Sequence, residues 1–507
     1  MEPSIPSHPV LTTDEAASLE AALFGGDERR EWKAMLLAGR STSDAALADF
    51  AETGCFPADA RVLVLAGKGN NAGDALIAAR EVLARFPGAS CDVLFAFGPR
   101  KLKPLASKAW RGLVESCRGR VRACGADGLG AAYDLCLDGI FGYQYRPPLP
   151  QEALEAIAAA DRCEIRFRAA VDLPSGLDGK GAFRADFTYA TGIAKAPIFG
   201  CANAGRPRYL DLGFFGAAGV GGPVPGSQER VLLPSVLGPL AGLRPASSDK
   251  RSQGHLAIVG GSDDLPGAVL MATLAALQSG VGLVTAFVPE SVAPIYAARA
   301  PEAMWVGLPV TSSGGLSPRG LAKIVKISGR ATALVIGPGL GKDPKTHALA
   351  RALVKASKIP MVIDADGLQP DIVRTGRAHR ILTPHAGELT RIAGGETLRK
   401  LCRSIPAVVI AKAAVTRVCA GGPQYLSLHG GPVLSRGGSG DLLAGLTGGL
   451  LAQTPADPLL AACRATAWHG MAADLLARAH GQTAVQILQW LDFLAPALRE
   501  SAPCPAS

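Results

Sequence analysis

Aromatic residues are scarce, at 5% of the 507 residues, so the chain does not rely on large rings to fill its interior. Its 61 glycines, set among alanine-rich helical stretches, suggest tight packing of helices on strands instead. Charged residues make up only 19% against 48% hydrophobic, which excludes a disordered chain. No apolar run reaches the length of a membrane span, and the opening "MEPSIPSHPV" lacks the basic-then-apolar order of a signal peptide. The eleven cysteines contain no C-x-x-C pair and no Cys/His spacing of a zinc site. They fall mostly in apolar segments, as Cys91 and Cys136 do, and read as buried free thiols, which implies a reducing, cytoplasmic compartment. Lysine and arginine are scattered, with no basic run interleaved with aromatics. The net charge of +9 therefore points to a small anionic ligand such as a nucleotide, with no nucleic acid and no membrane as partner. Homo-oligomerisation stays open.

The length exceeds that of one ordinary core. Short apolar runs alternate with helical patterns throughout, the mark of βαβ units and parallel sheets. Strands are expected at Val62–Ala66, Cys91–Phe97, Tyr133–Leu137, Ala169–Val171 and Thr188–Thr191, with helices at Ala75–Arg85 and Gln151–Ala160 between them. "FFGAAGVGGPVPGSQ", Phe214 to Gln228, has neither hydrophobic period and reads as a linker. Beyond it the rhythm resumes, and two long helices, roughly Asp441–Leu451 and Asp457–Ala479, close the chain. The expected map is one α/β domain over 1–213, a linker over 214–235 and a second α/β domain over 236–507.

"VLVLAGKGNNAGD" runs from an apolar strand into glycines and asparagines. Gly67 and Gly69 suit close approach of backbone N–H groups to a phosphate, although a lone G-x-G is a weak signal. Asparagine oxygens are neutral hard ligands, suited to an alkali cation or to an amide on a substrate. "CLDGIFG" sets Asp138 just past a strand, and "VDLPSG" sets Asp172 and Ser175 just past another. Strand C-terminal ends share one edge of a parallel sheet, so Asn71, Asp138 and Ser175 are expected to converge. Each alone also reads as a helix cap or turn residue.

Farther on, "SRGGSGDLLAGLTGGLLAQ" sets glycines before an apolar helix. The amides of Gly438, Ser439 and Gly440 are placed to stabilise charge on a transferring phosphoryl group, with Asp441 as the base for an attacking hydroxyl. The plain alternative is an Asp cap behind a flexible loop.

"GKGNNAGDALIAAR", "LDGIFGYQYRPPL" and "VDLPSGLDG" resemble the NAD(P)HX epimerase domain, a Rossmann-like three-layer fold, over about residues 10–213. That family inverts C6 of hydrated nicotinamide cofactors and uses K+. The resemblance implies substrate contacts from Asn70, Asn71, Ala72, Gly73 and Asp74, from Gly142, Tyr143, Gln144, Tyr145, Arg146, Pro147 and Pro148, and from Asp172, which would also act as an acid/base group. It implies K+ on Asn71, Asp138 and Ser175. The family usually has glycine where this chain has Ala72 and Ala75. A left-handed backbone at either would be strained by roughly 1 kcal/mol or more.

"SSDKRSQGHLAIVGGSDDLPG", "PEAMW", "VIGPGLG", "VIDADGL", "LTPHAGE" and "GGSGDLLAG" resemble the ADP-dependent NAD(P)HX dehydratase domain, a ribokinase-like α/β fold, over about residues 236–500. Here the resemblance implies hydrate contacts from Ala268, Gly339, His385 and Asp441. Lys412, Ala413, Ala414, Val415, Thr416 and Gly440 would contact ADP, the phosphoryl donor, with Mg2+ assisting. The family usually reads Lys-Gly at Lys412-Ala413 and Asn-Pro at Gly431-Pro432. The expected activity is repair of hydrated nicotinamide nucleotides, NADHX and NADPHX, by epimerisation and dehydration. Two rivals remain: a ribokinase-like small-metabolite kinase, and a dehydratase fused to a non-catalytic nucleotide-binding domain.

Overall fold

The computed structural model describes residues 5–143, 145–216 and 227–501; Gln144 and residues 217–226 of the expected linker lie outside the described residues. The chain is mixed α/β and divides into two units. One comprises His8–Ser227 with Ala477–Gly481; the other comprises Met1–Ser7, Gln228–Leu476 and Gln482–Ser507. No described helix is long and apolar enough to cross a membrane.

In the unit containing His8–Ser227, seven parallel strands stand in the order Val121–Cys124, Ser90–Phe95, Arg61–Ala66, Ala132–Gly139, Glu164–Val171, Phe187–Thr191 and Arg206–Leu210. The strand Arg61–Ala66 shows why such a run is apolar throughout. Val62, Val64 and Ala66 pack with the helices Glu28–Phe50 and Asn70–Arg85, while Leu63 and Leu65 pack with the helix Gln151–Asp161 on the other face. Strand order reverses between Arg61–Ala66 and Ala132–Gly139. A crevice opens at the strand C-terminal ends beside such a switch.

One expectation needs correcting here. The helix expected at Ala75 begins five residues earlier, at Asn70, after an extended Gly69 that makes no side-chain cap. Asparagine and glycine are poor helix formers, yet burial of Asn71, Ala72 and Gly73 outweighs that preference. Residues Asn70 to Asp74 are thus a first helical turn and not a loop. Ala72 and Ala75 lie inside this helix, and neither is among the described residues with positive φ, so the strain considered for alanine does not arise.

The second unit follows the same logic. Its parallel core runs Met304–Leu308, Leu283–Pro289, His255–Val259, Ala333–Ile336, Met361–Ile363, Arg380–Leu382 and Ala407–Ala411, extended by the antiparallel pair Thr416–Cys419 and Gln424–Ser427 and then Glu229–Leu232. The switch falls between His255–Val259 and Ala333–Ile336. One face is covered by the helices Pro266–Gln278 and Ser439–Gln453, which approach closely because glycine stands at the contact. A Cβ on Gly445 would lie 1.9 Å from the Ala272 carbonyl oxygen. We therefore expect Gly445→Ala to cost about 1–3 kcal/mol in urea unfolding by forcing the two helices apart. Gly267→Ala is the control: its Cβ meets nothing within 4 Å, so stability should hold or rise slightly.

Candidate functional site

At the first switch, Asp138 ends its strand fully buried, and its carboxylate is held from the neighbouring strand end. The Ser175 backbone N–H donates to Oδ2 at 2.7 Å, the Ser175 hydroxyl donates to Oδ1 at 2.7 Å, and the Ile140 N–H donates to Oδ1 at 3.2 Å. Burial pushes the Asp138 carboxyl up to about 6, with the Ser175 bonds pulling against it. Asn71 points its amide into the same place. Its Nδ2 donates to the Phe141 carbonyl at 2.9 Å, while its Oδ1 is buried with no hydrogen-bond partner. Phe141 N–H donates to Ser175 Oγ at 3.0 Å and closes the ring. A buried unpaired amide oxygen costs roughly 1–3 kcal/mol. Linked through Phe141 to Ser175 and Asp138, this oxygen could serve as a neutral ligand to a weakly held monovalent cation.

Beside this cluster lies a cavity of about 450 Å3, whose lining includes Asn70, Asn71, Asp74, Gly142, Tyr143, Tyr145 and Asp172. Asp172 stands at φ 66°, an unfavourable backbone for a residue with a side chain. Two contacts hold it there: Tyr143 N–H donates to Oδ2 at 2.9 Å, and Lys195 Nζ pairs with Oδ1 at 2.5 Å. Gly142 permits this approach, since a Cβ there would meet Asp172 Oδ2 at 2.8 Å. Arg146, Pro147 and Pro148 are exposed and absent from the cavity lining.

Five charged members of this cavity, Glu20, Lys68, Lys103, Glu152 and Lys195, escaped sequence reasoning. Lys195 is 1% exposed and Glu20 is half-buried. Glu20 Oε2 accepts the Tyr143 hydroxyl at 2.7 Å. Burial, then the charges of Asp172 and Glu20, push the Asp74 carboxyl well up; Lys195 opposes them. Burial also raises Glu20, against Lys195 and the tyrosine bond. The lysine in "TGIAKAP", a lone charge directly after an apolar strand, was the available signal.

In the second unit, Gly438 adopts φ 95° and caps the helix Ser439–Gln453, leaving the first amides of that helix without a side-chain partner. Asp441 sits in this first turn. Burial and the neighbouring Asp364 charge push it up to about 7, with Lys412 drawing it back. Lys412 Nζ lies 3.4 Å from Asp364 Oδ1 and would stand 3.2 Å from a Cβ on Gly440, so the ammonium adjoins the amides. Thr383 Oγ1 donates to the same Asp364 oxygen at 2.5 Å. Ala413, Ala414 and Val415 form the bend that leads into the strand beginning at Thr416. Gly339 stands at φ 66°, with Ala268 next to it at the switch: a Cβ on Gly339 would meet Ala268 Cβ at 3.0 Å. His385 is occupied locally. It caps the helix Ala386–Ala393, its Nδ1 accepting from Gly387 N–H at 3.1 Å, while Glu388 Oε2 accepts its own N–H at 2.8 Å. The ring is largely exposed, and Lys412 N–H donates to the Pro384 carbonyl beside it.

A family model described as NAD(P)H-hydrate dehydratase matches residues 256–492, and one described as YjeF-related protein N-terminus matches residues 33–196. A bifunctional NAD(P)H-hydrate repair enzyme of Gloeobacter violaceus is 36% identical over 495 residues, covering 92% of this chain and 93% of its own. Its counterpart in Moorella thermoacetica is 33% identical over 479 residues, covering 87% and 88%. Among solved structures, an ADP/ATP-dependent NAD(P)H-hydrate dehydratase from Bacillus subtilis, co-crystallized with ATP/Mg2+, is 27% identical with a TM-score of 0.44, covering 51% of this chain and 94% of its own. Matched along nearly its whole length by such relatives, the chain belongs to the family of bifunctional NAD(P)H-hydrate repair enzymes.

Proposed function

We propose that the Rossmann-like first part, residues 1–213, epimerises R- and S-NAD(P)HX, and that the ribokinase-like second part, residues 236–507, dehydrates the S form with ADP; residues 214–235 link them. The observation that carries the dehydratase half is Asp441 in the first turn of a helix that has no side-chain cap and adjoins Lys412. In this reading Asp441 takes the proton of the C6 hydroxyl as that oxygen attacks the β-phosphorus of ADP. AMP leaves, and the amides of Gly438, Ser439 and Gly440 with the Lys412 ammonium balance the charge spread over the phosphoryl oxygens. The C6–O bond then breaks as the ring nitrogen pushes out phosphate. Loss of the C5 proton restores the reduced nicotinamide. Among the described residues there is no cluster of three or more His, Cys, Asp or Glu suited to a metal. Mg2+ is accordingly read as arriving with the nucleotide phosphates, where it supplies further positive charge.

For the first part, Asn71 Oδ1, Asp138 and Ser175 would hold K+, and the unpartnered amide oxygen supports that assignment. The ion would fix the Phe141–Tyr143 segment against the substrate; Asp172, oriented by Lys195, handles the proton of the C6 hydroxyl. The free thiols of the described chain suit a reducing cytoplasm.

Asp441→Asn should leave nucleotide binding intact and reduce dehydration by roughly 10²–10⁴-fold. The base must be ionised to act, so wild-type turnover should fall as pH drops below about 7, the value to which Asp441 is raised. Recovery of reduced-nicotinamide absorbance from S hydrate measures both, and chromatography should show ADP giving AMP and phosphate. Turnover of ATP to ADP with none of ADP would reverse the choice of donor.

Epimerisation should depend on K+, and Asp138→Ala should raise the K+ concentration needed for half-maximal rate by at least about tenfold, because it removes the only charged ligand of the three. Chromatographic separation of the two hydrates across a K+ titration provides the check. An unchanged K+ response would remove Asp138 from the ion site.

A further inference from the structure

Resting on the epimerase reading, we propose that Glu20 is a second catalytic carboxylate of that site, transferring a proton to and from the ring nitrogen of the hydrate while Asp172 serves the C6 hydroxyl. Glu20 comes from the helix Thr13–Phe24, outside the segment matched by the family model, so its place here is a property of this chain's own geometry.

Tyr143 ties the two carboxylates to one frame. Its backbone N–H donates to Asp172 Oδ2 at 2.9 Å and its hydroxyl donates to Glu20 Oε2 at 2.7 Å, so one residue spans from one acid to the other. Glu20, Tyr143, Asp74, Asp172 and Lys195 all line the 450 Å3 cavity. Glu20, Tyr143 and Asp74 also line an adjoining cavity of about 270 Å3, which places Glu20 between the two. Glu20, Asp74, Glu152 and Asp172 line the larger cavity with Lys68, Lys103 and Lys195, but Lys195 is the lysine that acts on Glu20 and Asp74, and its ammonium is in direct contact with Asp172. Glu31 adds a further negative charge near Glu20. Burial, Asp172 and Glu31 raise Glu20 against Lys195 and the Tyr143 bond, so a carboxyl readier than usual to hold a proton stands opposite the carboxylate that Lys195 pairs.

Inversion at C6 of a carbinolamine needs such a pair. A base removes the hydroxyl proton, the C6–N1 bond breaks, C6 becomes an aldehyde carbon, and N1 takes up a proton. Rotation about the C5–C6 bond turns the other carbonyl face toward N1. Reclosure re-forms the C6–N1 bond as N1 returns its proton to Glu20 and the C6 oxygen takes its proton back from Asp172. Atoms and electrons balance with no co-reactant. Tyr143 occupies Oε2 of Glu20 and leaves Oε1 to carry the proton.

The test is the pH profile of epimerisation by the full-length protein in K+, with R and S hydrates separated by chromatography. Glu20 acts in its protonated form at ring opening, so the wild-type rate should fall as pH rises through its raised pKa. Glu20→Gln should lower kcat about 10²-fold with KM within about twofold, and should abolish that alkaline fall. Tyr143→Phe covers the case of a Glu20→Gln protein that does not fold. Removing the hydroxyl takes away a bond that favours ionised Glu20, so the alkaline fall should move to higher pH. A Glu20→Gln enzyme with wild-type kcat and pH profile, or an alkaline fall unmoved in Tyr143→Phe, overturns the proposal while leaving the epimerase reading in place. No acceleration by the wild-type protein over the spontaneous rate overturns both.

Discussion

A carboxylate buried at the C-terminal edge of a parallel sheet, answered by one lysine, recurs in both units, and the chemistry proposed for each depends on it. Lys195 pairs with Asp172 in one, and Lys412 with Asp364 in the other. In each case burial first, and then the charge of the paired aspartate, pushes a neighbouring acid up: Asp74 beside the first pair, and Asp441, to about 7, beside the second. Crowding carboxylates in a poorly solvated crevice, with a lysine in contact with only one of them, raises its neighbour. That contrast is what proton transfer at neutral pH requires.

The sheets make the arrangement possible. Parallel strands, apolar on both faces, bury the strand ends but leave a crevice where strand order reverses. Asp138 sits at the first reversal and Gly339 at the second. Helix amides add to each crevice: the helix from Asn70 starts behind an extended Gly69, and the helix from Ser439 behind a left-handed Gly438, neither with a side-chain cap. First turns without a side-chain cap cost stability, and both lie beside residues proposed to bind a phosphorylated ligand.

Much of this was legible in the sequence because it is local. Asp138, Asp172 and Ser175 follow apolar runs directly, and a residue just past a parallel strand has little choice about where it lies. Gly438 to Asp441 announce a helix start by the same logic. What escaped was set by contacts distant in the chain. Asn70 to Asp74 look like a loop by propensity, and the burial of Asn71, Ala72 and Gly73 makes them helix. Glu20 lies more than a hundred residues from Tyr143, with nothing in its own helix to mark it. Alanine at 72 and 75 looks costly only if a turn is assumed; inside a helix it is the favoured residue. His385 stands out in "TPHAGE", yet its ring caps a helix, a local role that sequence alone does not separate from ligand contact.

If each lysine–aspartate pair serves its own reaction, the amplitude of absorbance recovery from a mixed R and S hydrate, with ADP and K+ present, will separate them. Wild-type protein should restore reduced nicotinamide from the whole mixture in one fast course. Lys195→Met should give a fast phase equal to the S fraction, followed by recovery at the spontaneous epimerisation rate, and Lys412→Met should show no fast phase. Complete fast recovery by Lys195→Met, or an unaltered course with Lys412→Met, would contradict the account.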